Sequence, residues 1–227
     1  MASEPETFLL IRSARRTLGL EVRPDGDLVV RASHLVPEEQ IHRFLARHEA
    51  WISRKRAEAL SRPRPVPRSF TDGEEFLLLG RTVILRLTDR RRPLVCGDND
   101  NIMLAASEQK NARRLVVRWY RQKAREVFTD RVRHYAGVMK LEPTRIRITS
   151  PRRRWGSCGA GGSINLNWKL VMAPLEIIDY IVIHELAHLK IRGHGPDFRE
   201  LVRQYTPDYR QHEKWLRENA YKLEIGY

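Results

Sequence analysis

Residues 184–188 read His-Glu-Leu-Ala-His. On a helix, side chains four apart lie one turn above each other on the same face, so His184 and His188 can offer two imidazoles to one ion. Zinc suits such a pair, because neutral imidazole nitrogen is a good ligand at ~2.0–2.1 Å. Glu185 stands beside that face. It is near enough to touch a water held by the ion and is not aimed at the ion itself: two ligands and one base. A catalytic zinc takes three protein ligands and keeps a fourth place for water. His194 is the best third ligand, because Arg192-Gly193 offers a helix stop after which the chain can double back. His212 and Glu200 are weaker candidates. The plain alternative makes His184 and His188 satisfied core residues, His194 a turn or capping residue and Glu200 an exposed charge. Against it stand Ile177, Ile178, Ile181, Val182 and Ile183, which imply a buried helix. Buried histidines and a buried glutamate without partners cost several kcal/mol, and a metal accounts for all three.

The elements that must carry these residues follow from periodicity and turn chemistry. Residues 7–12 and 18–32 read as strands around a Pro24-Asp25-Gly26-Asp27 turn, a hairpin. Residues 36–60 read as one helix, with Ile41, Phe44, Leu45, His48 and Ile52 at helical spacing. The proline-rich stretch 61–71 reads as an extended linker. Short strands are expected at 75–79 and 83–87 around a Gly80-Arg81 turn, and at 102–104 after a turn at 98–101. Residues 107–140 read as one long helix whose apolar stripe is Leu115, Val116, Trp119, Tyr120, Ala124 and Val127. Residues 145–149 and 163–168 alternate as strands and are expected to form an antiparallel pair around the R-R-R-W-G-S-C-G-A-G-G loop. Helices are expected from 174 or 175 to about 190, from 196 to about 204, and over about 209–223. The fold class is therefore α+β. A mostly β region with one helix (1–106) precedes a second domain (107–227).

The loop has more than one reading. Arg152 to Arg154 can pair with phosphate or carboxylate, with Trp155 as a stacking surface. Cys158 can approach the metal and block it. Alternatively the loop is a solvated basic turn with Trp155 in the core and Cys158 a small buried filler. Tyr180, Tyr205 and Tyr209 are available as oxyanion stabilisers, although each also suits packing.

The bulk properties bound the answer. With 227 residues, 41% of them hydrophobic, the chain can bury a real core. No run approaches the ~18 apolar residues of a membrane span. The polar, acidic start shows no secretory pattern, and two distant cysteines, Cys96 and Cys158, make no disulfide framework. A cytoplasmic location is the expectation. A net charge of +14 favours polyanions as partners, although arginine-rich coding produces the same balance.

The run W-G-S-C (155–158), then I-N-L-N-W-K-L (164–170), Y-I-V-I-H-E-L-A-H-L (180–189) and G-H-G-P-D-F (193–198) resembles the YgjP-like metallopeptidase family of the zincins. Phe198 and the segment from Pro207 to Leu216 fit the same pattern. The likeness is close over 145–220 and looser over the N-terminal hairpin and helix. It implies a zincin-like domain, with the active-site helix under a small antiparallel sheet. His184, His188 and His194 would be the Zn2+ ligands and Glu185 the catalytic base, acting on a peptide or protein. It also implies kinship with SprT-like proteases, some of which act on DNA-associated proteins. The first-to-third histidine spacing is that of metzincins, but Ile191 stands where they carry glycine. By the same resemblance, Ser163 to Trp168 is the edge strand that holds the peptide. Two other functions share these residues: a metal-dependent nucleotide phosphohydrolase, and a basic nucleic-acid-associated binding module with a structural metal site.

Overall fold

The computed structural model describes residues 7–23, 25–61, 63, 65–89, the backbone of 94–96, and 100–225. The chain divides into two compact units, Met1–Arg64 and Pro65–Tyr227. The division falls inside the proline-rich stretch rather than at residue 106, so the strands of residues 75–105 belong with the histidine-bearing half.

In the first unit, β1 (Phe8–Ser13), β2 (Gly19–Val22) and β3 (Leu28–Ser33) form a sheet in the order β1-β3-β2. β2 and β3 are the expected hairpin, and β1 joins β3 in parallel. Pro24 of the turn lies outside the described residues; Gly26 takes a positive φ of 91°. The expected single helix is two, α1 (Glu38–Arg47) and α2 (Glu49–Ser61), broken at His48. His48 leaves helical geometry while its Nδ1 bonds the Phe44 carbonyl at 2.8 Å. Ile41, Leu45 and Ile52 pack with Leu28, Val30 and Ala32 in a small core of their own.

The second unit begins with β4 (Glu75–Leu78), β5 (Arg81–Thr88), β6 (Leu94–Cys96) and β7 (Asn101–Ala105), in the order β4-β5-β7-β6. The β4–β5 turn sits one residue earlier than expected. Leu79 and Gly80 both take positive φ, 51° and 77°, the pattern of a tight two-residue hairpin turn. The tip has a positioning role. Leu79 and Gly80 donate their N–H groups to the Val171 and Met172 carbonyls, and a side chain at Gly80 would meet Pro174 at 2.9 Å. Pro174 caps the next helix, so the hairpin tip braces the start of the helix that carries the histidines.

The long helix starts as a 3-10 turn (Ala106–Asn111) and continues as α3 (Ala112–Met139). Its buried stripe runs on through Phe128 and Val132, Val127 being only partly covered. Residues 145–167 give β8 (Arg145–Thr149), β9 (Gly156–Cys158) and β10 (Ser163–Asn167). Here the antiparallel expectation fails: β8 and β10 pair in parallel, and the sheet is mixed. The loop between them contributes a strand, and this strand, β9, makes the antiparallel hairpin with β10. The chain therefore crosses the end of β10 before returning along its other side. Asn167 secures that crossing, its Nδ2 donating to the Pro151 and Arg154 carbonyls at 3.1 and 3.2 Å. A 3-10 turn (Trp168–Met172) leads to α4 (Leu175–Ala187), followed by α5 (Pro196–Tyr205) and α6 (Tyr209–Asn219).

α4 is the central element. Ile177, Ile178, Tyr180, Ile181, Val182, Ile183, Leu186 and Ala187 are all buried, so the helix is apolar nearly all round and can only sit inside a core. Asp179 is its one acidic link to α3: Arg131 holds it with two hydrogen bonds of 2.6 and 2.7 Å, and the Tyr135 hydroxyl donates to it at 3.2 Å. Among the described residues no helix is long and apolar enough to cross a membrane.

Replacing Arg131 by Met removes both bonds and leaves the Asp179 carboxylate half-satisfied. A loss of about 1–3 kcal/mol is expected, read by calorimetry as a thermal midpoint lowered by several degrees. An unchanged midpoint would show that the α3–α4 clamp contributes nothing.

Candidate metal centre

α4 ends at Ala187, earlier than expected, and not through glycine. The backbone tightens into 3-10-type turns, with Leu189 N–H bonding the Leu186 carbonyl and Lys190 and Ile191 N–H bonding that of Ala187. Gly193 does not take a left-handed conformation, and a Cβ there would meet nothing within 4 Å. The early stop has a chemical consequence. It brings the Ile191 carbonyl to 3.0 Å from His188 Nδ1. That nitrogen donates its proton there, which leaves Nε2 unprotonated and aimed at the centre.

The chain then turns through His194 into α5, whose first helical residue is Pro196. The backbone of His194 is held from the far side by Arg199, whose Nη1 donates to its carbonyl at 2.9 Å. The three Nε2 atoms converge: His188 to His194 is 3.1 Å, and His194 to His184 is 3.3 Å. Tetrahedral bonds of ~2.0–2.1 Å to one ion put ligand atoms ~3.3–3.4 Å apart. The three donors therefore fit a metal. Hydrogen bonds serve the triangle poorly, since one Nε2 proton among three nitrogens faces two lone pairs and can satisfy only one of them well. Among the described residues this is the one group of three or more His, Cys, Asp or Glu side chains that could hold an ion.

Phe198 forms the floor. Its ring stacks on His188 at 4.4 Å and meets His184 and His194 edge-on, each at 4.9 Å. It is buried, and it fixes all three ring planes at once. Burial also favours the neutral form of the two helix histidines. The His184 imidazole is pushed down to about 4, chiefly by desolvation and secondarily by His188 and His194. His188 is lowered too, first by burial, against its bond to Ile191.

Glu185 is only 5% exposed. Burial pushes its carboxyl up to about 7, while the Arg154 charge and a hydrogen bond from the Cys158 N–H pull the other way. β9 presses directly on it. A Cβ added at Gly156 would lie 2.5 Å from Glu185 Oε1 and 2.6 Å from its Cγ. Glycine is thus required because the carboxylate occupies the space a side chain would take. This role of Gly156 is not legible from local pattern; the loop readings for Arg152 to Cys158 and the W-G-S-C resemblance mark the segment without it.

A cavity of about 550 Å³ opens over the three histidines and Glu185, walled by Arg154, Gly156 to Ala160, Leu189 and Arg192. A second, of about 500 Å³, lies across His184 and His194 against Tyr180, Val202, Tyr209 and Arg210. The strand flanking the histidines is therefore β9. β10, expected as the exposed edge, runs centrally between β8 and β9. The remaining candidates have other partners, although Tyr180, Tyr209 and Cys158 line these cavities. Glu200 is bound to Arg203 at 2.9 Å, and His212 faces Thr206 at 3.3 Å. Tyr180 donates to Glu213 at 3.0 Å. Trp155 packs against the core. Cys158 is a free thiol lining the first cavity, and its pKa is raised by burial and by Glu185.

The family of YgjP-like metallopeptidase domains matches residues 16–219. The chain belongs to that family. Two solved structures resemble part of it, both metallopeptidase zymogens from archaea. One is abylysin of Pyrococcus abyssi, with 23% identity and a TM-score of 0.38, covering 44% of this chain and 99% of that one. The other is jannalysin of Methanocaldococcus jannaschii, with 24% identity and a TM-score of 0.37, covering 40% and 88%. No curated protein matches the chain.

In Gly156→Ala the new methyl group displaces the Glu185 carboxyl and leaves the histidines alone. Elemental analysis should give unchanged metal content, while peptide hydrolysis falls at least tenfold. Hydrolysis at the parent rate would mean that β9 yields and Glu185 has no need of the gap.

Proposed function

We propose that this chain is a zinc-dependent peptidase that hydrolyses peptide bonds, with His184, His188 and His194 as metal ligands and Glu185 as general base. The observation that carries the reading is the convergence of three imidazole nitrogens beside a buried carboxylate, under a cavity large enough for a peptide segment. Zinc fits an all-imidazole donor set. When bound, such an ion polarises the substrate carbonyl and makes water nucleophilic near neutral pH.

The protein residues supply the rest. Glu185 accepts the proton of the attacking water at its carboxylate and later delivers it to the departing amine. Desolvation, which raises its affinity for protons, suits both halves of that task. Phe198 and the Ile191 carbonyl hold the imidazoles in their productive orientation. β9 has β10 as its one partner in the sheet and lines the cavity, so its other edge is the place to lay an extended peptide. Family membership favours a peptide over a nucleotide substrate, and a carboxylate beside an open cavity distinguishes this site from a structural metal.

Glu185→Gln should retain metal and lose about 10²–10⁴ in turnover of a peptide library. His194→Ala should lose both metal and turnover. A chelator should silence the parent enzyme, and added Zn2+ should restore it. Full activity in Glu185→Gln would falsify the assignment of the base.

A further inference from the structure

The Arg152–Arg154 run divides between two places. Arg154 lines the cavity above the histidines, whereas Arg152 lines a separate cavity of about 440 Å³ on the second unit. There it meets α3. Arg114, Val117 and Arg121 are spaced by three and four residues, so they share one face of that helix, and all three line the same cavity. Arg114, Arg121 and Arg152 are exposed, and none of their guanidinium groups has an ion pair or hydrogen bond among the described residues. Arg113 stands at the same cavity. One carboxylate is present, Glu224, and it is already joined to Lys169. Val117, Pro151, Trp168 and Ile225 supply an apolar floor.

A concave site with a strong excess of positive charge attracts anions. Guanidinium is the cation whose planar fork of donors best fits phosphate oxygens. Arg114 and Arg121 are two helical turns apart, about 10 Å along the axis. Guanidinium groups anchored over that span, with Arg152 across the cavity, offer anion contacts along its length, which suits a chain of phosphates. We infer that the groove between α3 and the β8–β9 loop binds a phosphate-chain polyanion, gripped by Arg114, Arg121 and Arg152. The site is distinct from the metal centre. The short segment from Arg152 to Arg154, secured by Asn167, joins the two, so a bound polyanion would hold the histidine cavity close to the ligand's own surface.

The test must separate a built site from the general attraction of a chain of charge +14. One variant combines Arg114→Gln, Arg121→Gln and Arg152→Gln. A control combines Arg125→Gln, Arg133→Gln and Arg217→Gln, which removes the same charge from exposed positions outside the groove. Fluorescence anisotropy with a labelled 20-nucleotide oligothymidylate is read across a salt series. The groove variant should bind at least tenfold more weakly. Its salt slope should be shallower by about 2, since each phosphate left unneutralised on a single strand takes ~0.7 from the slope. The control should shift less than twofold. Hydrolysis of a short uncharged peptide should be unaltered in both, which shows that each variant is folded. Competition with linear inorganic polyphosphate names the source of the phosphates: displacement assigns a site that reads phosphate alone, and failure to displace assigns the nucleic-acid strand. Equal weakening in the two variants, or no binding by the parent at low salt, overturns the inference.

Discussion

Three imidazole Nε2 atoms are crowded around one point, His188 to His194 at 3.1 Å and His194 to His184 at 3.3 Å. That arrangement persists only because the surrounding fold leaves the rings no alternative. α4 is buried on nearly every side, so it cannot rotate to release His184 and His188. Phe198 blocks the rings from below, and the Ile191 carbonyl occupies the remaining nitrogen of His188. A divalent ion bound there would draw all three nitrogens to itself, and its binding energy would add to the stability of the fold. The rest of the second unit can be understood as support for that crowded triangle: the β4–β5 hairpin tip braces the start of α4, and Arg131 ties its middle to α3.

The same burial that constrains the histidines also prepares Glu185. A carboxylate placed next to His184, on a helix buried over most of its circumference, is desolvated, and its proton affinity rises as a result. β9 then fits over it so closely that only glycine is accommodated at residue 156. His184, Glu185 and the neighbouring strand are therefore coupled through one contact surface, between α4 and the mixed three-stranded sheet. A change on either side of that surface is felt by the chemistry.

Much of this is legible from residue types and spacing. The HELAH pentad, the isoleucine-rich approach to it and the later Gly-His-Gly-Pro segment are local patterns, and local patterns survive translation into helices and turns. What escapes is set by long-range geometry. The parallel pairing of β8 with β10 depends on the three-residue strand β9, too short and too glycine-rich to announce itself by alternation. The break at His48 comes from a side-chain bond to the preceding turn, which periodicity does not register. The end of α4 reads as a glycine stop, yet the backbone closes its last turns without one. The division of the chain at residues 64 and 65 lies within the proline-rich linker at 61–71, a local signal, whereas the packing of β4, β5 and β7 into the main core is long-range and has none.

One ion would sit at the meeting point of three imidazoles. X-ray absorption spectroscopy on the zinc-loaded protein tests it most directly. The account predicts three nitrogen scatterers with imidazole outer-shell features at ~2.0–2.1 Å and one further light-atom ligand. A spectrum with sulfur bound to the ion, or with fewer than three imidazoles, would contradict it.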